Sequence, residues 1–414
     1  MRPVHEVAGA PVDTVRTATL SLLNYCRAED WSGHDPYDAL NSPVLQSLPL
    51  LGSRIPRLAL TQALKRSPVN LRGWLRVPKT QNPKALALFL SALLKLSVMQ
   101  PGQCEDSIQK MIERLVALRS AGVPYWCWGY SFPWQGRKVV VPRGAPNLVC
   151  TTFVAGALLD CYERRGGEEL LAMAVSASEY LLNELYWQDE SSAAAGFSYP
   201  LRSLRSEIHN ANFLAAALLC RVYKLTGDEK FVAPALSVAR YSAAKQRADG
   251  SWYYGEAATQ RWIDNFHTGF NLSALAQIDR CLASDEFEPR LRQGFEFYKK
   301  HFFRADGAAR YFHDRTYPID IHCVAQSILT PLEFQRLDSG NLARARSVFD
   351  WAMRHMWDER GFFYYRVLRT CTIRTSYMRW SQAWMLLALI TLLAEVTASG
   401  ERSQTQEPAV LARA

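Results

Sequence analysis

Two aspartates, Asp264 and Asp320, stand in matching contexts: each follows an isoleucine, opens an apolar run, and precedes a histidine by two or three residues, His267 and His322. Two carboxylates can divide acid and base work at a glycosidic bond. Inverting glycosidases hold them roughly 6.5–9.5 Å apart, close to the 8–10 Å between packed helices. Histidine adds a group that titrates near neutral pH. An acid and a base of one residue type need different surroundings. The aromatic neighbours Trp262 and Phe266 suit Asp264 as the acid, and a cation such as His313 or Arg315 suits Asp320 as the base. The competing reading makes both aspartates helix N-caps.

Around these four catalytic candidates lie groups suited to holding a sugar. Asn147, His209, Asn210 and Asn265 stand at helix starts and can bond hydroxyls. The loop WSGHDPYDALNS offers Trp31, Asp35, Tyr37 and Asp38. Aromatic turns add Trp128, Trp134, Trp252 and Tyr254, whose ring planes can stack on sugar C–H faces. Arg379 and Trp380 open the last apolar helix, Arg374 lies in a loop on the same side, as do Arg143 and Arg202, and arginine binds carboxylate or phosphate in bidentate fashion. Against this stands the simpler role of bracing helix ends. His209, His267 and His322 recur at near-equivalent places and could gather a metal, but bonding to sugar hydroxyls is the more economical reading. No metal and no cofactor is expected.

The elements that must position these groups repeat. After each aromatic turn a polar loop opens an apolar helix, and an amphipathic helix returns to the next turn. Trp128, Phe197, Trp252, Tyr311 and Phe363 mark a period of roughly 50–60 residues, the length of a large helical hairpin. About six units fit. Apolar helices inside amphipathic ones predict an all-α fold, an (α/α)6 toroid with short β-turns at one rim; an open solenoid is the alternative. The toroid is expected to fill residues 1–397, with a flexible tail over 398–414. In a closed ring the inner helix starts converge on one mouth, at Asp35 or Asp38, Asn147, His209, Asp264, Asp320 and Arg379.

Composition narrows the partners. A net charge of +9 favours acidic ones, uronate sugars or phosphorylated carriers among them, and without a Lys/Arg run there is no support for nucleic acid. Nine cysteines without a Cys-x-x-Cys pair read as free thiols in a reducing compartment. The amino terminus has no secretory core, and the apolar run Ala383–Ala394 is shorter than the about 20 residues of a spanning helix. A cytoplasmic location without a transmembrane segment is expected; oligomeric state is open.

The ring of polar groups and aromatic turns resembles the six-hairpin toroid proteins that act on sugars. WSGHDPYDALNS, CWGYSFPWQGR, PNLVCTTFVAGALLD, DGSWYYG with WIDNFHTGF, and SYMRW are similar to bacterial polysaccharide-biosynthesis proteins of the VpsJ type over residues of about 20 to 396. The resemblance implies a carbohydrate-active protein of exopolysaccharide biosynthesis, hydrolysing or epimerising an acidic or carrier-linked glycan, and it assigns no catalytic residue. The alternative is a non-catalytic glycan-binding or scaffold protein. Gln246, Gly250 and Trp252 match the bracing motif of triterpene cyclases, but the acid and diphosphate motifs are missing. Tyr125 to Gly129 is similar to the Trp-Cys-x-Gly of zinc-dependent lanthionine cyclases, whose Cys-His-Gly partner is also missing.

Overall fold

A computed structural model describes residues 12–47, 49–137 and 139–406. In chain order its helices are α1 (Val12–Ala28), α2 (Pro43–Gln46), α3 (Arg54–Arg66), α4 (Pro83–Met99), α5 (Glu105–Ala117), α6 (Leu148–Arg165) and α7 (Glu168–Tyr180). They continue with α8 (His209–Thr226), α9 (Val232–Ala244), α10 (Asn265–Leu282), α11 (Glu288–Phe302), α12 (Ile321–Glu333), α13 (Asn341–Met356) and α14 (Ala383–Gln406).

The apolar helices α4, α6, α8, α10, α12 and α14 each pack against the next, and α14 packs back against α4, so the inner ring is closed. Helix α4 shows why: PKALALFLSALLKLSVM is buried on almost every side, which only a helix with neighbours all round can be. Its start is set by Pro83 in the first turn and by Asn82, whose side chain accepts from Lys84 N. The outer helices bury one stripe, as in α5 with Ile108, Met111 and Leu115. This is the (α/α)6 toroid that the hairpin period predicts.

Hairpin ends are braced by one device used repeatedly. Trp128 Nε1 donates to Leu115 O near the end of α5, and Trp252 Nε1 donates to Ser242 O in α9. Gln246 Nε2 bonds both Gly250 O and Arg290 O. Gly250, Gly307 and Gly361 sit at φ near +90° in the turns after three successive outer helices. A Cβ there would lie 2.4, 2.5 and 2.9 Å from the carbonyl oxygens of Gln293, Ser347 and Ser21. The first two oxygens belong to the next outer helix; the third belongs to α1, which fills the outer place beside α14. Gly307→Ala should destabilise the fold by about 3 kcal/mol, combining left-handed strain with a backbone clash, read as a fall in the chemical-denaturation midpoint.

Short strands line one rim. Ile319–Asp320 pairs with Arg366–Val367, which pairs with Thr372–Ile373, and the register sets Asp320 opposite Arg366.

Three sequence expectations change. The first inner helix starts at Asn82, so Asp35 and Asp38 are not its mouth positions; they lie in an inserted segment, residues 29–82, with its own small apolar cluster of Ala39, Leu45 and Leu64. Helix α14 continues to Gln406, past residue 398 where the tail is expected to begin; residues 407–414 lie outside the described ones. Its stretch Met378–Ser399 is long and apolar enough to cross a bilayer, longer than Ala383–Ala394 suggests, because a wide π-turn at Met378–Gln382 extends it at one end and the helix runs on to Ser399 at the other; 67% of its most apolar 18 residues is buried inside the protein.

Candidate active site

The caps of the inner helices deliver side chains to the mouth in two phases. Asn82 and Asp320 bond the amide two residues on, Lys84 N and His322 N. Asn147 and Asp264 bond the amide three residues on, Cys150 N and His267 N. Lys84 and His322 therefore hold equivalent places in different repeats. Both are buried, at 3% and 1% exposure.

His322 is held by rings alone. It stacks between Phe266 (4.4 Å) and Trp384 (4.6 Å), with Trp380 edge-on at 4.8 Å. Neither ring nitrogen has a hydrogen-bond partner among the described residues. Burial, helped by the nearby charges of Lys84 and Arg379, holds its pKa well below the usual histidine value, so the ring is neutral at pH 7.

His267 lies on the same Phe266 ring, 4.1 Å away, and against Tyr254 at 4.6 Å. Its Nδ1 bonds Asp264 Oδ2 at 2.7 Å. That contact sets the tautomer, and His267 lines a narrow cleft with Asn210, Asn271, Tyr254 and Asp264 among others. The cleft has no room for a water-sized sphere in this structure, so a sugar ring enters only when its walls part. Its carbonyl oxygens Asn210 Oδ1 and Asn271 Oδ1 are buried without partners among the described residues, as is Trp384 Nε1. Groups of this kind are costly unless something else binds them.

Both aspartates are engaged as acceptors. Asp264 takes Trp262 Nε1 (2.8 Å), His267 Nδ1 and His267 N, so its hydrogen bonds direct no proton outward. Asp320 takes Arg366 Nε (2.5 Å), Trp380 Nε1 (2.8 Å) and His322 N. The cation beside it is thus Arg366, supplied by the rim sheet. Arg315 instead pairs with Asp314 at the surface, and His313 lies against Phe297 and His301.

Lys84 sits over Phe153 at 4.0 Å, with Phe270 and Trp384 at 5.5 and 5.4 Å. No carboxylate pairs with it among the described residues. Burial, then the charge of Arg379, brings its pKa down to about 7. Arg379 is held by Asp35 in bidentate fashion at 2.6 and 2.9 Å, and Arg72 by Asp38 at 2.7 Å. Lys65, from α3, bonds the Tyr37 hydroxyl and lies 5.6 Å from the Trp380 ring. The inserted segment thereby reaches the mouth. Tyrosines complete the walls, and burial pushes Tyr199 up to about 12 and Tyr130, Tyr254 and Tyr311 well above the usual value.

The other candidates divide. Asp35, Tyr37, Asp38, Asn210, Tyr254, Arg379 and Trp380 gather here, and Trp134 lies against Tyr130. Trp31 packs on Phe89 in the core, and Trp128 and Trp252 brace hairpins; Trp252 reaches only the edge of the cleft. Asn265 bonds Ser327 and Tyr298 between helices, Asn147 caps α6, and His209 is tied to Glu256 at 2.9 Å. Arg374, like Arg143 and Arg202, is exposed. Lys84, Lys65, Arg366, Asn271 and Trp384 were absent from the sequence candidates. Lys84 had a signal: a lysine two residues after an Asn-Pro helix start, inside an apolar run. Among the described residues no group of three His, Cys, Asp or Glu side chains is placed to hold a metal.

No protein-family model matches the chain, and no curated protein matches it in sequence. Solved structures do match in shape. A cellobiose 2-epimerase of Bacillus thermoamylovorans aligns with a TM-score of 0.61 at 13% identity, over 92% of this chain and 98% of its own. A GH76 alpha-mannanase of Bacteroides thetaiotaomicron gives 0.60 at 12%, over 78% and 89%. An unsaturated glucuronyl hydrolase of Streptococcus agalactiae gives 0.58 at 11%, over 95% and 96%. The chain has the six-hairpin toroid fold of these proteins.

Proposed function

We propose that the chain is a cytoplasmic sugar-converting enzyme of exopolysaccharide assembly, working on an acidic or carrier-linked sugar by proton transfer at the toroid mouth. The observation that carries this reading is the pair of imidazoles that both touch one Phe266 ring, one with both nitrogens unpartnered among the described residues and the other anchored by Asp264. Neutral His322 takes a proton from the carbon beside a sugar carbonyl, and the electron pair moves to the carbonyl oxygen. The Lys84 ammonium supports the oxyanion that forms. His267, entering as the imidazolium with Nδ1–H held by Asp264, returns its other proton to the carbon as the electron pair comes back from the oxygen; the product is an epimer, and the two histidines reset by exchanging protons with water.

An acidic sugar is favoured because Lys65 and Lys84 are both buried and neither pairs with a carboxylate among the described residues; a bound carboxylate or phosphate would offset that cost. The polysaccharide setting rests on the resemblance to the VpsJ type, and the cytoplasmic location on nine free thiols.

Hydrolysis is the second reading. It is favoured by Asp264 and Asp320 standing as buried caps on adjacent inner helices, each accepting from an indole. One experiment separates the two: purified protein is incubated with acidic and neutral sugars and oligosaccharides in D2O and the products read by mass and NMR. Epimerisation gives unchanged length with carbon-bound deuterium, hydrolysis gives shorter products without it, and binding without either marks a non-catalytic glycan-binding protein.

A further inference from the structure

The stretch from Ala39 to Cys104 holds nine lysines and arginines and no aspartate or glutamate, so it alone equals the net charge of +9 of the whole chain. Most of its exposed part is the inserted segment over the mouth. Helix α3 there has two unlike faces. Thr61, Leu64 and Lys65 are buried, with Lys65 reaching Tyr37 and Trp380. Ile55, Ala59 and Ala63, four residues apart, form an exposed apolar stripe. The same segment exposes Val69 and Trp74, and Trp74 at 85% exposure is more open to solvent than Ile55 at 72% or Val69 at 61%. Arg66 and Arg76 belong to the same stretch and are exposed, without an ion pair among the described residues.

Single exposed hydrophobic residues are ordinary. Large apolar side chains set among uncompensated cations, in a stretch without any acid, need a partner that takes both. A soluble polyanion would grip Arg66 and Arg76 and leave Ile55 and Trp74 in water. An anionic bilayer takes tryptophan and isoleucine at the boundary of headgroups and acyl chains while its phosphates face the cations.

We propose that the outer face of residues 54–79 docks on an anionic lipid bilayer. The protein is then peripheral, seated through Ile55, Val69 and Trp74, with Arg66 and Arg76 in the headgroup layer. Since the inner face of the same helix touches Tyr37 and Trp380, docking sets the toroid mouth close to the membrane surface. This placement does not depend on which reaction the mouth carries out.

The test is sedimentation of the full chain with vesicles of phosphatidylcholine alone or mixed equally with phosphatidylglycerol. Binding is expected to the anionic vesicles only, and to fall at about 0.5 M NaCl, where the screening length is a few ångströms. Ile55→Ser with Trp74→Ser should weaken it at least tenfold, and Arg66→Gln with Arg76→Gln likewise. Melting temperatures should stay at the wild-type value, because all four side chains are exposed. Absence of sedimentation with anionic vesicles overturns the proposal. So does binding that the serine pair leaves unchanged and that soluble polyglucuronate competes away, which would assign the face to a polyanion.

Discussion

Replacement of His322 by phenylalanine is expected to slow turnover by about 10²–10⁴ while leaving the protein at least as stable as wild type. Phenylalanine keeps the stack between Phe266 and Trp384 and removes two buried nitrogens that have no partner among the described residues. Each unsatisfied group costs about 1–3 kcal/mol, so a gain of that order should appear as a raised denaturation midpoint. Loss of a positioned base costs about 10²–10⁴ in rate, visible as lost deuterium incorporation. His209 provides the contrast. Its Nε2 bonds Glu256, so His209→Phe loses that charge-assisted bond and should destabilise. If His322→Phe kept full turnover, or destabilised as His209→Phe does, His322 would be a structural residue and the epimerisation reading would fail.

Lys84→Met should also separate stability from function, with a pH signature of its own. The folded pKa of about 7 lies below the ordinary 10.5. Between those values the unfolded chain binds a proton that the folded chain does not, so wild-type stability rises with pH across this window. Below about pH 7 the folded protein carries the full cost of the buried charge. At about 1.4 kcal/mol per pH unit the ceiling is about 5 kcal/mol, and the contact with Phe153 returns about 2. Methionine removes the charge and fills the space, so the variant should be more stable by about 3 kcal/mol at pH 6 and show little difference near pH 10. Wild-type kcat/KM for an acidic sugar should fall above pH 7 as Lys84 loses its proton, whereas kcat, which reports the bound state, should fall at higher pH. A methionine variant that melts lower at every pH, or that turns over acidic sugars normally, would remove Lys84 from the site.

The fold was readable because its period is long and its two helix types differ in burial. The aromatic turns at Trp128, Trp252 and Phe363 mark hairpin ends, and the structure uses them there. The same regularity misplaced part of the site. An aromatic residue that braces a hairpin and one that lines a cavity look alike in sequence, and only packing separates Trp128 from Trp380. Asp264 and Asp320 were recognisable by their matching contexts, but their partners come through space: Arg366 reaches Asp320 through a strand register 46 residues away. Lys84 was hidden because a run of apolar residues draws attention to the core, and a lysine within it reads as a tolerated exception. Its cap, Asn82, follows a segment without hairpin periodicity, which displaced the first mouth position to Asp35 and Asp38.

The sixth hairpin is the only one whose two helices come from opposite ends of the described chain: α1 occupies the outer place beside α14, down to the contact of Gly361 with Ser21 O. On the ribosome this becomes a waiting time. Of the described helices α1 is made before the others and presents Val15, Leu22, Leu23 and Cys26 for burial, yet its partner α14 is the last of them to be translated. At about 5–20 residues per second the interval is on the order of a minute, long enough for a chaperone to hold that face. A circular permutant that joins the ends and opens the chain between α7 and α8 would make α14 and α1 consecutively, and should shorten the dependence of folding on such help.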